Sequence, residues 1–140
     1  MSPKLICFYF PQFHSIPEND KWWGKGFTDW DYVKSIKPLF TGHNQPRIPL
    51  DEHYYNPCEK EVLFNQANLA KEYGVYGFSF YHYWFDGKLL LEKPLETFLQ
   101  NKNIDIPFCL TWANETWSKR WIGDHKTILI AQDHEPKKEI

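Results

Sequence analysis

A short stretch around residue 115 carries the side chains best suited to chemistry on a small ligand. The apolar run Phe108–Trp112 predicts a buried strand. It is followed by polar, charged and aromatic residues: Asn114, Glu115, Trp117 and Arg120. Indole rings offer flat apolar faces to sugar C–H groups, while amides and charges hydrogen-bond to hydroxyls. Because α/β enzymes place their sites at the C-terminal ends of strands, we interpret this stretch as part of a carbohydrate site. The alternative is that the tryptophans are ordinary core residues with polar tips.

Two other apolar runs end in similar groups. Lys4–Phe10 and Val75–Tyr81 are almost continuously apolar, which is typical of parallel strands covered on both faces. The C-terminal ends of parallel strands lie on one rim, so we expect the residues after all three runs to line one cleft. Glu115 should lie nearest its centre, with Trp84 or Trp112 offering a flat face to the sugar. The candidate substrate-binding residues are Gln12, His14, Trp30, Tyr81, His82, Trp84, Trp112, Asn114, Trp117 and Arg120.

Glu115 is the candidate catalytic residue. Glycosidic-bond chemistry needs a pair of carboxylates, or one carboxylate together with groups that handle a donor phosphate. Asp86 and Asp124 are possible partners for Glu115, although the sequence gives no distance between them. The alternative for Glu115 is that it only hydrogen-bonds a sugar hydroxyl. The alternative for Gln12 and His14 is that they satisfy backbone groups of their loop.

Composition argues against several other classes of function. The net charge of −2 gives no electrostatic footprint for nucleic acid. The six histidines have no zinc-like spacing and no phosphate-loop glycine pattern is present, so we expect neither a metal nor a cofactor. Three widely spaced cysteines favour reduced thiols. No run has transmembrane length or resembles a signal peptide, and we therefore predict a cytoplasmic protein.

Residues 15–56 show no clear strand or helix period apart from one short segment. Loops of this length are uncommon in compact domains and are usually functional or disordered. The many aromatic residues of this segment argue against disorder. We interpret it as an ordered lid, in which Trp30 and His43 cover the cleft.

Three helices can be predicted from their starting residues. A short one spans Thr28–Ile36, with Thr28 as its cap and with Asp29 and Asp31 in the first turn, where the helix dipole favours acids. A second starts at Asn56, which is followed by a proline and completes a capping box with a glutamate. A third starts at Pro94. Nothing beyond the dipole is needed to explain the two aspartates.

The resulting order predicts an α/β fold. The strands Lys4–Phe10, Val75–Tyr81 and Phe108–Trp112 should be parallel and adjacent in that order, with helices on one side. The signal weakens toward the end of the sequence. Thr127–Ala131 is compatible with a short strand, and Asp133 could cap a further helix.

Five collinear stretches carry a resemblance to a known family. The chain resembles the WbsX-type glycosyltransferases, which are also described as glycoside hydrolase family 99-like proteins. This resemblance implies a (β/α)8 TIM barrel and a role in bacterial surface-polysaccharide biosynthesis, such as that of the O-antigen of lipopolysaccharide. The stretches are Phe8–His14, Trp22–Trp30, Leu69–Phe78, Tyr81–Phe85 and Trp112–Glu115.

The chain departs from the family pattern in a few residues and in length. Asp29 stands where family members often have Glu, and a shorter carboxylate there matters if it touches substrate. A (β/α)8 barrel needs about 250 residues. We therefore expect residues 1–140 to be a single domain, a truncated N-terminal part with the first three parallel βα units and a long first loop. Its two open sheet edges favour self-association or pairing with the missing barrel half.

The resemblance leaves the class of function open. The chain would act on an oligosaccharide or a sugar nucleotide, as a glycosyltransferase or a glycosidase-like enzyme, and the fragment alone could be inactive. The alternative is a non-catalytic carbohydrate-binding or assembly subunit. Nucleic acid is not expected as a partner, and no transmembrane segment is predicted.

Overall fold

Three parallel strands form the centre of the fold. In the computed structural model, which describes residues 2–134, they are β1 (Ile6–Tyr9), β2 (Gly77–Phe85) and β4 (Phe108–Trp112). β1 and β4 both pair with β2 in parallel, which places β2 between them. The predicted order and direction of the three strands are confirmed.

Two helices cover one face of this sheet. They are α3 (Lys60–Glu72) and α4 (Lys93–Gln100), each in the connection between two parallel strands. Phe80 of β2 is fully buried between them, with its ring centroid 5.1 Å from that of Phe98 on α4 and in the same core cluster as Leu63 on α3. The apolar residues at helical spacing thus bury their side chains against the central strand.

The start of α3 differs from the prediction. The helix begins at Lys60, four residues after the predicted cap. The side-chain oxygen of Asn56 instead accepts a hydrogen bond from the backbone N–H of Cys58 at 3.0 Å, which closes a turn before the helix. This competing local bond is typical of Asn. The helix ends as predicted at Gly74, whose φ of +79° is left-handed.

β2 is longer than predicted, and this has consequences for the site. It continues to Phe85, because the turn at Asp86 and Gly87 returns the chain as β3 (Lys88–Leu90), antiparallel to β2. Both turn residues have positive φ, which is typical of a tight Asp-Gly hairpin. The residues predicted to lie in a loop after the strand are therefore inside the sheet.

The segment 15–56 contains two short α-helices and a 3₁₀ turn at Leu50–Glu52. The helix α1 (Pro17–Trp23) was missed, although Pro17 occupies its first turn. The helix α2 (Asp29–Ser35) confirms the predicted one, with Thr28 as its cap. The backbone N–H of Thr28 donates to Asp31 Oδ2 at 2.8 Å, so one of the two first-turn acids does cap the helix.

A small hairpin follows β4. It consists of β5 (Trp117–Ser118) and β6 (Ile128–Ile130), which are antiparallel and joined through a 3₁₀ turn at Lys119–Ile122. The predicted strand Thr127–Ala131 is confirmed as β6. The helix predicted after Asp133 lies outside the described residues.

Within residues 2–134 the sheet remains open. β1 and β4 each pair on one side only, and both carry exposed apolar side chains. Phe8 is 67% exposed, and Phe108 and Leu110 on β4 are also exposed. The parallel sheet and its covering helices fit partial βα units, while closure into an eight-stranded barrel stays a prediction.

The central position of Phe80 gives a test of this architecture. Replacing Phe80 by Ala should lower the free energy of unfolding by about 3–5 kcal/mol, because it leaves a cavity in the main core. The matched control is Phe8→Ala, which should cost less than about 1 kcal/mol because that ring is exposed. Urea unfolding of both variants measures the difference, and equal losses would contradict the described packing.

The open edges give a second test. The 140-residue polypeptide should self-associate, because unpaired strands and exposed apolar rings favour edge-to-edge contact. Sedimentation velocity should show association that rises with concentration, and Phe8→Lys should weaken it by placing a charge on the exposed face. A strict monomer at all concentrations would be evidence against this expectation.

Candidate functional site

A cavity of about 500 Å³ lies at the C-terminal ends of the parallel strands. Its floor comes from residues at the ends of all three strands: Phe10, Tyr81, Tyr83 and Ala113. Tyr81 and Tyr83 are two positions apart on β2 and stack at a centroid distance of 6.1 Å. The volume is within the range of sites for small ligands.

The first wall of the cavity comes from α1, α2 and the loop between them. Asn19 and Asp29 are buried there, while the rings of Trp23, Phe27 and Tyr32 are partly or largely exposed. The two short helices of the segment 15–56 thus bring both apolar and polar groups against the strand ends. The prediction that this segment covers the strand ends holds for these residues.

The opposite wall comes from the chain after β4. Glu115, Trp117, Arg120 and Trp121 line it. The Trp121 ring approaches that of Tyr32 on α2 at 5.5 Å, so the two walls meet across the cavity. Trp117 also packs edge-on against Tyr83 at 5.0 Å and belongs partly to a second core cluster under the site. Trp117 thus packs in the core and also lines the cavity, while its contact with a ligand stays a prediction.

Asp29 is the unusual ionisable group of the cavity. It is only 5% exposed, and burial raises the pKa of its carboxyl group from 3.8 to about 7, opposed in part by a hydrogen bond to its own backbone. Asp31, two residues further along α2, is exposed. The helix turn thus holds one buried and one hydrated carboxyl group.

Gln12 and Tyr83 form a polar pair at the base of the cavity, where Tyr83 is buried and Gln12 is half-buried. Gln12 Nε2 donates to Tyr83 Oη at 2.8 Å. Burial raises the pKa of Tyr83, and the negative charges of Asp29 and Glu115 add to this effect, so the phenol stays neutral. The backbone N–H of Asp29 lies 3.5 Å from the Gln12 carbonyl oxygen, which ties α2 to the end of β1.

Glu115 and Arg120 form an ion pair at the mouth of the cavity. Glu115 Oε2 lies 3.7 Å from Arg120 Nη1, and both side chains are more than half exposed. Such a pair contributes about 0–1 kcal/mol to stability. Both groups are therefore free to exchange this contact for one with a ligand.

The cavity brings together five of the eleven predicted site residues: Gln12, Tyr81, Glu115, Trp117 and Arg120. His82, Trp84 and Trp112 do not line it. His82 and Trp84 alternate with Tyr81 and Tyr83 on β2, and His82 is paired with Trp112, so all three face the opposite side of the sheet. The expectation that Trp84 or Trp112 would offer the sugar its flat face in this cavity is not met.

His14 and Trp30 also lie away from the cavity. His14 is buried, and its Nδ1 is 2.8 Å from the Pro11 carbonyl oxygen, while burial lowers the pKa of its ring. Trp30 stacks on Phe13 at 4.1 Å and donates its Nε1–H to the Tyr55 carbonyl oxygen at 2.8 Å. Both residues thus stabilise the loops around the strand ends, as the alternative for His14 supposed.

The remaining candidates from the sequence are at the surface or in turns. Asn114 is exposed and does not line the cavity, and His43 stacks on Phe40 outside it. Asp86 lies in the β2–β3 turn. Asp124 Oδ1 accepts backbone hydrogen bonds that close the β5–β6 connection. Neither aspartate lines the cavity, so the carboxyl groups that share it with Glu115 are Asp29 and Asp31.

Sequence reasoning missed Asp29 and most of the first wall. A signal for Asp29 was present, since the family resemblance implies a carboxylate at this position, but a first-turn acid is explained equally well by the helix dipole. Within residues 2–134 no cluster of three or more metal-binding side chains is present, and no helix has the length and apolar character of a membrane span.

Comparison with known proteins gives a family match. The family model described as Glycosyltransferase WbsX matches residues 5–140. Two proteins named "Uncharacterized protein WxcX", from Xanthomonas campestris pv. campestris strains B100 and ATCC 33913, are each 52% identical to the chain over 130 residues. The match covers 93% of the chain but 19% of each relative, so the chain spans about a fifth of the length of these curated relatives. No solved structure matches the chain significantly.

The buried state of Asp29 predicts an unusual pH dependence of stability. Because its pKa is higher in the folded chain than the ordinary 3.8, the folded state holds a proton that the unfolded state releases between about pH 4 and about pH 7. Stability should therefore fall as the pH rises through this window. Asp29→Asn removes this ionisable group. The free energy of unfolding of the variant, relative to that of the unaltered chain, should therefore increase by up to about 4 kcal/mol between acid and weakly alkaline pH.

Urea unfolding at a series of pH values measures this difference. The control is Asp105→Asn, which removes an exposed carboxylate that is hydrated in both states. Asp105→Asn should not show the pH-dependent increase in the free energy of unfolding that is expected for Asp29→Asn. A gain that is independent of pH would show that Asp29 is not buried as a neutral acid.

Proposed function

Because the chain belongs to the WbsX glycosyltransferase family, we propose that its cavity binds a sugar of a bacterial surface polysaccharide, such as the O-antigen of lipopolysaccharide. The full polypeptide forms or breaks a glycosidic bond in this cavity. Membership of this family supports a carbohydrate-related role. The proposed reaction is inferred from the residues that line the cavity.

One observation carries the proposal. The cavity at the strand ends combines flat aromatic rings, on which a sugar can stack, with the carboxyl groups that glycosidic-bond chemistry requires. The rings of Trp23 and Tyr81 offer faces to the apolar side of a sugar, while Gln12 and Asn19 are placed to hydrogen-bond its hydroxyls. Most ligand sites share this pattern of apolar lining with a few polar groups.

Glu115 is the proposed catalytic carboxylate. It is exposed at the cavity mouth and paired with Arg120, so it is accessible to a ligand. An ionised carboxylate can accept the proton of an attacking hydroxyl or stabilise positive charge at the sugar. Arg120 orients it and can contact an acidic sugar or a phosphate.

We also propose a barrel fold around the site and a cytoplasmic location. The open parallel sheet is compatible with the first three βα units of a (β/α)8 barrel, in which residues 1–140 would be one N-terminal part. The free thiols of all three cysteines support a cytoplasmic location.

A second candidate function has one observation in its favour. Exposed apolar side chains on the two edge strands β1 and β4 favour protein contact, which supports a carbohydrate-binding or assembly subunit without turnover. Turnover by the full polypeptide separates the two candidates.

The test of the proposed function is the substitution Glu115→Gln in the full polypeptide that the gene encodes. Turnover of the surface glycan from the producing organism should fall about 100-fold or more, because the base is lost while the shape is kept. Binding of the same glycan, followed by the fluorescence of Trp23 and Trp117, should survive.

Glu61→Gln is the matched control, since Glu61 is an exposed glutamate on α3 outside the cavity. It should leave both turnover and binding unchanged. Full activity and affinity in Glu115→Gln would remove Glu115 from the site, and binding without turnover in the unaltered protein would favour the second candidate.

A further inference from the structure

The balance of charges in the cavity restricts its substrate. Three acids line it, Asp29, Asp31 and Glu115, together with one base, Arg120. Arg120 is already paired with Glu115. Lys119 lies 5.9 Å from the centre of the Trp23 ring and does not line the cavity. Even with Asp29 protonated, the other two acids outnumber the one base. A nucleoside diphosphate would bring further negative charge to this site, and like charges in proximity are costly. An uncharged glycan meets no such barrier.

The two carboxyl groups on opposite walls have contrasting environments. Asp29 is only 5% exposed, and none of the ion pairs within residues 2–134 includes it. The Glu115 side chain is 63% exposed and faces a guanidinium group. Burial without a cation favours the protonated form of Asp29, whereas Glu115 is hydrated and lies beside a cation. Acid and base roles in an enzyme site are assigned by such contrasts.

Resting on the proposed function, we propose that Asp29 is the proton donor of the reaction, and that the bond it helps to break joins two sugars rather than a sugar and a nucleoside diphosphate. The substrate class is then an oligosaccharide or polysaccharide. Glu115 acts as the base in the same step.

The step balances without any further reactant. The bond between the sugar C1 and the leaving oxygen breaks, its electron pair goes to that oxygen, and the Asp29 proton follows it to give a free hydroxyl. A hydroxyl of water or of an acceptor sugar attacks C1, and its proton passes to the Glu115 carboxylate. Proton exchange with solvent restores both groups. A diphosphate leaving group is already a stable anion and needs no such donor.

The groups around Asp29 are compatible with this role over the neutral range. Tyr83 on the floor is a neutral phenol, since burial raises its pKa, and it cannot act as a competing anion. The other ionisable groups that line the cavity are Tyr32, Tyr81, Asp31, Glu115 and Arg120. Activity should therefore fall as the pH rises above about 7, where Asp29 loses its proton.

The experiment compares two leaving groups in the full polypeptide. One substrate is the surface glycan of the producing organism, and the other is the glycosyl fluoride of the sugar that is released from it, whose leaving group needs little protonation. Asp29→Asn should reduce turnover of the glycan about 100-fold or more and that of the fluoride less than about 10-fold. The loss of glycan turnover above neutral pH should disappear in this variant.

Two variants serve as references. Asp105→Asn, an exposed carboxylate outside the cavity, should leave both rates unchanged. Asp29→Glu keeps a carboxyl group and should recover part of the glycan turnover, which also shows whether the loss in Asp29→Asn arises from chemistry or from misfolding.

Three results would overturn the proposal. The first is unchanged glycan turnover in Asp29→Asn, and the second is an equal loss of turnover on the glycan and on the fluoride in this variant. The third is efficient turnover of a sugar nucleotide by the unaltered protein, with Asp29→Asn equally active on it. In the last case the proposed function stands while the role of Asp29 fails. Absence of turnover on both glycans and sugar nucleotides in the unaltered protein would instead contradict the proposed function itself.

Discussion

The alternation of side chains along the central strand β2 is the constraint on which the rest of the structure depends. Phe78 and Phe80 point to the helices and form the main core, whereas Tyr81 and Tyr83 point to the other face and form the floor of the cavity. On that face Ser79 and Thr111 of the neighbouring strand share a hydrogen bond of 2.6 Å. A shift of β2 by one residue would exchange core and site together, so stability and function depend on the same register.

The carboxyl groups of Asp29 and Glu115, on opposite walls of the cavity, have contrasting environments. A short capped helix holds Asp29 near Tyr83 and Gln12, while Glu115 lies at the mouth of the cavity beside Arg120. Keeping an acid buried without a cation costs stability at neutral pH, and natural proteins tolerate such costs mainly at functional sites. The capping bond from Thr28 to Asp31 fixes the helix turn that carries Asp29. The stabilisation from this cap thus offsets part of the free energy that burial of the Asp29 carboxyl group costs.

Much of the fold could be predicted because it follows from local patterns. Continuous apolar runs identified three parallel strands, and the stops at Gly74 and the start at Pro94 located the helices between them. The boundary at Asn56 was wrong because a side-chain turn competes with helix capping at that residue. The end of β2 was wrong because the Asp-Gly pair was not interpreted as a hairpin. Five of the predicted site residues share the cavity, and the others show that position near a strand end does not fix the direction of a side chain.

The sequence by itself determined the three parallel strands with the helices between them, the family resemblance and Glu115 as a carboxylate beside tryptophans. These features depend on residues that are close along the chain, where periodicity and capping act. Only the tertiary structure decided that Trp84 and Trp112 face away from the cavity while Tyr83 and Asp29 face into it. Side-chain direction depends on where a strand ends, and the burial of a carboxyl group depends on what packs over it from distant parts of the chain. Both are properties of the packed sheet and helices, because desolvation arises from all neighbours in space rather than from neighbours in sequence.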